Sequence, residues 1–199
     1  MELGLEGKSA IVTGASKGIG KAIMESLKKE GVYVYNMSRT TGYDLTKKIP
    51  EELESHILIN NVGGGGTWSN FKECMDKNYG IMLDMTTNYL KTHREWGRVI
   101  TISSVYGKEK GPNPGFTAAK AAQIAYMKSM AGKVEGTTFN TVCPGYIDVG
   151  KPFNLDIPYP STVGKPEDVA NLVTYLCSPK ANHIDGACIT VDGGCTHSW

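Results

Sequence analysis

Short apolar runs that end at glycines or polar turns alternate along this chain with longer stretches of helical spacing. Ser9-Ala10-Ile11-Val12-Thr13 runs into a glycine, and from Ile19 to Lys29 the apolar positions Ile19, Ile23 and Leu27 fall on one helical face. That order is strand, glycine-rich turn, amphipathic helix. Val32–Tyr35, Ile57–Asn60, Arg98–Ile102, Phe139–Val142 and Ala187–Val191 read as further strands. Helical spacing marks Met75 to about His93, Ala118 to Lys133, and Pro166 to Cys177, the last opening on a proline and two acids suited to a first turn. The alternation predicts an α/β fold, a doubly wound parallel sheet with helices on both faces. One interval breaks the pattern. Only Thr40 to Tyr43 separate Arg39 from Asp44, far short of the dozen or so residues of a parallel crossover, so any strand at Asp44-Leu45 would follow the second strand without a helix.

A chain of 199 residues suits one domain spanning 1–199. With 40% hydrophobic and 21% charged residues and a formal net charge of +1, it has no extended field for nucleic acid or a membrane surface, and neither partner is expected. The first eight residues lack the basic start and apolar core of a signal peptide, and no apolar stretch approaches the ~20 residues of a membrane span, so the cytoplasm is the expected location. Five cysteines without a C-x-x-C pair, and four histidines, give no metal-ligand spacing, and the cysteines read as free thiols.

Thr13-Gly14-Ala15-Ser16-Lys17-Gly18-Ile19-Gly20 places three glycines between the first strand and the first helix. Glycines there allow a tight turn and close approach of the backbone, and the free amides at a helix start attract phosphate. Five more segments join it in order: Asn60-Asn61-Val62-Gly63, Ile102-Ser103-Ser104, Ala118-Ala119-Lys120, Pro144-Gly145-Tyr146-Ile147 and Val191-Asp192-Gly193-Gly194. Together they resemble the classical branch of the short-chain dehydrogenase/reductase family over almost the full length. The resemblance implies a Rossmann-like fold and a nicotinamide cofactor on Gly14, Ser16, Lys17, Gly18, Ile19 and Gly20. It also implies that Asp44 and Leu45 flank the adenine, and that Asn61, Gly63 and Lys120 lie along the ribose and nicotinamide side. Pro144, Gly145 and Ile147 would cover the nicotinamide end. Where the family usually carries a threonine two residues after that isoleucine, this chain has Val149. The interval near Thr40 also departs from the family and implies a sheet less covered on one face. At the end of the second strand, Asn36-Met37-Ser38-Arg39 carries no carboxylate to hold a ribose diol, whereas Arg39, helped by Lys17, suits a 2′-phosphate, so NADP(H) is the expected cofactor.

In the family a tyrosine exchanges a proton with the substrate oxygen while hydride moves between nicotinamide and carbon. A lysine one helical turn later lowers the phenol pKa and holds the ribose. By the resemblance Lys120 is that lysine, Ser104 the serine that bonds the substrate oxygen, and Asn78 the asparagine that organises a water in the proton relay. The tyrosine position is Phe116, which keeps the ring and has no proton to exchange. An isolated isosteric change with its partners retained points to an engineered Tyr→Phe substitution that impairs activity. The alternative is a natural chain that binds cofactor without turnover. Tyr106, two residues after Ser104, is a further hydroxyl near the site.

The lid of the family corresponds here to residues 149–165, short and stiffened by Pro152, Pro158 and Pro160. A small lid suits a bulky ketone such as a carrier-linked 3-oxoacyl group or a sugar-type substrate, on which Trp68, Phe153 and Tyr159 offer stacking surfaces. Relatives pack subunits through the closing strand, so a homodimer or homotetramer is expected.

Overall fold

In a computed structural model the chain is described over residues 2–64, 70–92, 95–150 and 163–196. Six strands form one parallel sheet: β1 (Ser9–Thr13), β2 (Tyr33–Met37), β3 (Ile57–Asn60), β4 (Gly97–Ile102), β5 (Thr137–Pro144) and β6 (Cys188–Val191). Their spatial order is β2-β1-β3-β4-β5-β6. Between them run α1 (Gly18–Lys29), α2 (Phe71–Met75), a π-helical turn (Asp76–Gly80), α3 (Ile81–Lys91), α4 (Pro114–Met130) and α5 (Pro166–Cys177). The chain leaves β1 toward β2 on one side and reaches β3 on the other, which opens a crevice at the carboxyl ends of β1 and β3, the usual ligand position in such sheets.

Because both faces are covered, β3, β4 and β5 are buried along their whole length. Ala10, Val12, Ile57, Ile59 and Ile100 face α1 and α5, where Ile23, Leu27, Val169, Val173 and Leu176 meet them. Ile11, Leu58, Val99 and Phe139 face the other way, toward Ile81, Met82 and Met85 of α3 and Met127 of α4. Among the described residues no helix is long and apolar enough to cross a membrane, and all five cysteines are free.

The structure moves several boundaries. The helix expected from Ala118 begins at Pro114, because Pro114 fits the first helical position and the Asn113 side chain caps the turn by accepting from the Phe116 amide (3.1 Å). The helix expected from Met75 begins at Phe71 and carries the π-helical turn in its middle. β2 is displaced to Tyr33–Met37, where pairing with β1 continues through Asn36 and Met37. No strand forms at Asp44-Leu45. Asp44 instead accepts from the amide and hydroxyl of Thr46 in a turn, and Leu45, buried, joins Ile49 and Leu53 over Ile11 and Leu58. A loop thus covers the sheet where a crossover helix was missed, except along the edge strand, whose Tyr33 and Tyr35 remain 70% and 58% exposed. Of the expected 149–165 lid, residues 151–162 lie outside the described residues, with Pro152, Phe153, Pro158, Tyr159 and Pro160, as does Trp68. The ends of that segment are joined: Ile147 bridges Gly164, and the Asp148 amide donates to Gly164 O (2.8 Å).

Candidate active site

The glycine turn folds as its sequence suggests. Gly14 and Gly18 take positive φ (67° and 54°), which a side chain resists, and Gly20 packs too closely for any other residue. A Cβ on Gly20 would lie 2.5 Å from Asn61 Nδ2 and 2.6 Å from Gly14 O. Asn61 holds the turn in return, donating through Nδ2 to Thr13 O (3.0 Å) and Gly14 O (3.3 Å). At the start of α1, Lys17 is extended and makes no side-chain cap, and the first turn carries no acid. The first amides of α1 are therefore open to an anion, the arrangement that holds phosphate. A dinucleotide fits these residues on that ground.

A cleft of about 1400 Å³ runs from this turn across the carboxyl end of β2. Gly14, Ser16, Lys17, Gly18, Ile19 and Gly20 form one wall, with Asn61 and Gly63 beside them, and Arg39, Asp44 and Leu45 line the far end. Ser16 Oγ donates to Ser38 Oγ (2.6 Å), tying the glycine turn to the end of β2. Arg39 is exposed, while the Asp44 carboxyl is held below its usual pKa, chiefly by the Thr46 hydroxyl (2.6 Å). Val149, in the place of the usual threonine, stands against Gly18, with Cγ1 3.2 Å from where a Cβ would be.

A second hollow of about 300 Å³ opens from the first, sharing Ile19, Asn61, Gly63 and Val149. Ser104, Phe116, Lys120, Pro144, Gly145 and Ile147 line it. Ser104, two residues past β4, is extended and caps a 3₁₀ turn (Val105–Gly107), with its hydroxyl accepting from the Tyr106 amide (3.2 Å). Ser103, buried beside it, donates to Lys120 O (2.9 Å) and so fixes the helix that carries Phe116 and Lys120. The Lys120 ammonium lies 5.5 Å from the centre of the Phe116 ring. It donates to Ile102 O (2.9 Å) and Gln123 Oε1 (3.1 Å). Burial among neutral partners lowers its pKa to about 8. Asn78 does not line the hollow. It is wholly buried in the π-helical turn, donating to Cys74 O (2.9 Å) and Gly64 O (3.1 Å) and accepting from the Gly64 amide (2.9 Å). Gly63 fits between these groups only because it lacks a side chain, since a Cβ there would be 2.7 Å from Asn78 Oδ1 and 3.4 Å from Lys120 Nζ.

Two residues of this region carry no distinguishing sequence signal. Gln123 reads as a surface residue of a helix yet is 1% exposed. Tyr146, inside the Pro144-Gly145 segment, lines the hollow, and its hydroxyl lies 3.1 Å from that of Tyr106. Burial and that contact raise the Tyr106 pKa, which unfits its hydroxyl as a ready proton donor.

A family model described as enoyl-(acyl carrier protein) reductase matches residues 54–196. The 3-oxoacyl-[acyl-carrier-protein] reductase FabG of Vibrio cholerae is 31% identical over 244 aligned positions that cover 96% of this chain and 98% of that protein. The alignment is longer than the chain, so the relative carries segments that this chain lacks. The short chain dehydrogenase penD of Penicillium thymicola is likewise 31% identical, with 96% and 92% covered. A crystal structure of an oxidoreductase of the short chain dehydrogenase/reductase family from Burkholderia thailandensis is 27% identical with a TM-score of 0.82, covering 94% of this chain and 92% of that one. The ligand-free aldohexose dehydrogenase of Thermoplasma acidophilum is 26% identical with a TM-score of 0.81, covering 96% and 94%. With the crevice, the glycine turn and the Ser104–Lys120 pocket arranged on one parallel sheet, the chain belongs to the short-chain dehydrogenase/reductase family of oxidoreductases.

Proposed function

We propose that this chain is an NADP(H)-dependent oxidoreductase scaffold that moves hydride between nicotinamide and a ketone or secondary alcohol, with turnover impaired by Phe116. The observation that carries the reading is the continuity of the phosphate cradle at α1 with the hollow that holds Ser104, Phe116 and Lys120. The bound nicotinamide supplies or accepts the hydride. Gly14, Ser16, Gly18, Ile19 and Gly20 hold the diphosphate, Asp44 and Leu45 flank the adenine, and Asn61, Gly63 and Lys120 hold the ribose side. Pro144, Gly145 and Ile147 back the nicotinamide. Arg39 and Lys17 take a 2′-phosphate, the more so because Asp44 is engaged by Thr46 and by Lys47 (3.8 Å). Ser104 orients the substrate oxygen, and Asn78 secures the Gly63-Gly64 backbone. No phenol stands at Phe116 to exchange the proton.

The relatives' names, a 3-oxoacyl-[acyl-carrier-protein] reductase and an aldohexose dehydrogenase, support a 3-oxoacyl thioester or a sugar-type substrate. A second reading, a cofactor-binding or structural subunit, is favoured by Phe116 itself, since the cradle does not depend on that ring. Both readings include a homodimer or homotetramer, and neither a nucleic-acid nor a membrane partner. A single species of monomer mass in light scattering would remove the oligomer.

Fluorescence titration of the chain and of Arg39→Ala with NADPH and NADH tests the cofactor. NADPH should bind tighter to the parent, and Arg39→Ala should lose roughly 10- to 100-fold for NADPH alone, as expected when a charge-assisted hydrogen bond is removed. Equal affinities for the two cofactors in the parent would overturn the assignment.

A further inference from the structure

Gln123 is a buried amide with both ends in use. It lies three residues after Lys120 on α4 and therefore shares its face. Its Oε1 accepts from the Lys120 ammonium (3.1 Å), and its Nε2 donates to the main-chain carbonyl of Asn78 (2.9 Å). Asn78 sits in the π-helical turn, where the backbone hydrogen-bond register is shifted, and its own side chain grips Gly64. One continuous set of bonds thus runs from the ammonium, through the amide, to the loop that lines the hollow opposite Phe116.

A glutamine 1% exposed is costly unless both ends are bonded, so the two contacts fix its rotamer and direct Oε1 at Lys120. The ammonium has three protons. Ile102 O and Gln123 Oε1 take two, and the third remains for the hollow, between Gly63 and the Phe116 ring. An apolar residue at 123 would free Lys120 to turn and would leave Asn78 O facing a dry side chain. We infer that Gln123 is a positioning residue of this site: it aims the Lys120 ammonium into the hollow and ties it to the Asn78 turn, so that the lysine keeps its place although Phe116 offers no hydroxyl. The inference deepens the cofactor-binding reading above and rests on it for the identity of the ligand, but the control of Lys120 does not depend on that identity.

The groups packed around the ammonium are neutral. Ile102 O comes from β4, Gly63 from the loop after β3, Gln123 from α4, and Cys143 on β5 is the titratable neighbour. Lys120 therefore titrates low, at about 8, and its titration reports on Gln123. The test compares the full chain with Gln123→Leu and the isosteric Gln123→Glu. Lysine titrations are followed by NMR of the Cε shifts of protein carrying ¹³C-labelled lysine, with Lys120→Met as the assignment control, alongside NADPH binding and thermal unfolding. Gln123→Glu sets a carboxylate against the ammonium and should move the Lys120 titration above 8. Gln123→Leu should move it below and weaken NADPH binding on the order of tenfold or more, the loss expected for a hydrogen bond to a charged group. Glutamate, which keeps the contact to Lys120 but has no N–H for Asn78 O, should restore NADPH affinity in part relative to leucine.

A lower unfolding temperature in Gln123→Leu, with Lys120 titration and NADPH affinity unchanged, would make Gln123 a structural brace and overturn the proposal. If the leucine variant does not fold, an unmoved Lys120 titration in Gln123→Glu overturns it equally. Failure of the parent to bind NADPH removes the cofactor reading, while the Lys120 titration still decides the role of Gln123.

Discussion

Placing a hydroxyl at Phe116 is the most direct perturbation of the proposed chemistry. The ring lies in the hollow with Ser104, its centre 5.5 Å from the Lys120 ammonium, where the proposed function would place a phenol. A charge on the added oxygen would feel that ammonium at roughly 5 Å, worth about 3 kcal/mol at an effective dielectric constant near 20. Three kcal/mol is about two pKa units, enough to bring a phenol from ~10 to roughly 8. Lys120 itself titrates at about 8, so the pair would show two apparent pKa values belonging to both groups. Phe116→Tyr should therefore raise kcat/KM for its ketone by about 10²- to 10⁴-fold, the usual worth of a positioned acid, with a break in the pH–rate profile close to neutrality. The assay is NADPH consumption by parent and variant, side by side, over 3-oxoacyl thioesters, keto sugars and sugar nucleotides. Folded Phe116→Tyr that binds NADPH and reduces nothing on that panel would refute the reasoning and leave the binding role.

Gly20→Ala places a methyl 2.5 Å from Asn61 Nδ2 and 2.6 Å from Gly14 O, so calorimetry should find the fold weaker by about 1–3 kcal/mol and NADPH affinity sharply reduced. Unaltered affinity would remove the glycine turn from the site. Lys120→Met tests the buried charge through pH. Between about 8 and the ordinary value of 10.5 the unfolded chain keeps the lysine proton that the folded chain has lost, so this group makes stability rise with pH across that window. Below the window both states are charged and the desolvation cost is present in full. Urea unfolding of parent and variant should show their difference changing by roughly 3 kcal/mol from pH 8 to 10.5, and a flat difference would show that Lys120 is not desolvated.

What the sequence disclosed depended on how local each signal was. β1, the glycine turn and α1 follow from neighbouring residues, because an apolar run, three glycines and a four-residue apolar spacing act within one turn of chain. The start of α4 was hidden because Pro114-Gly115-Phe116-Thr117 are poor helix formers, and only the Asn113 cap and a proline at the first position make them helical. The end of β2 is hidden for the opposite reason: Asn36 and Met37 have little strand preference of their own, and pairing with Val12 and Thr13 extends the strand through them. Leu45, Ile49 and Leu53 share the four-residue spacing of α1, yet Pro50 falls among them and no helix forms, so their spacing does not say that they cover Ile11 and Leu58 as a loop. Gln123 is the same problem within the site. A glutamine on a helix carries no mark of burial until the partners at both ends are placed.

That bridge also bears on how the pocket tolerates Phe116. Deleting a hydroxyl from a buried polar cluster ordinarily leaves an orphaned donor or acceptor, and the orphan makes the cluster unstable. Among the described residues, the buried side-chain atoms without a partner belong to Asn36, Asn60, Arg98, Thr101, Thr117 and Thr138. Ser104, Lys120, Gln123 and Asn78 are absent from that set. The ammonium is held by Ile102 O and Gln123, with its third proton left toward the hollow, and Asn78 by Gly64 and Cys74, so none of these groups is left without a partner by the lack of a phenol. The pocket therefore holds its shape with a phenylalanine, and on the proposed function the cost of the missing oxygen would fall on the proton transfer alone. Cofactor affinity and turnover should accordingly separate in this chain. Phe116→Tyr should change NADPH affinity little while changing rate by orders of magnitude, whereas Gln123→Leu should weaken the binding that Phe116 leaves intact.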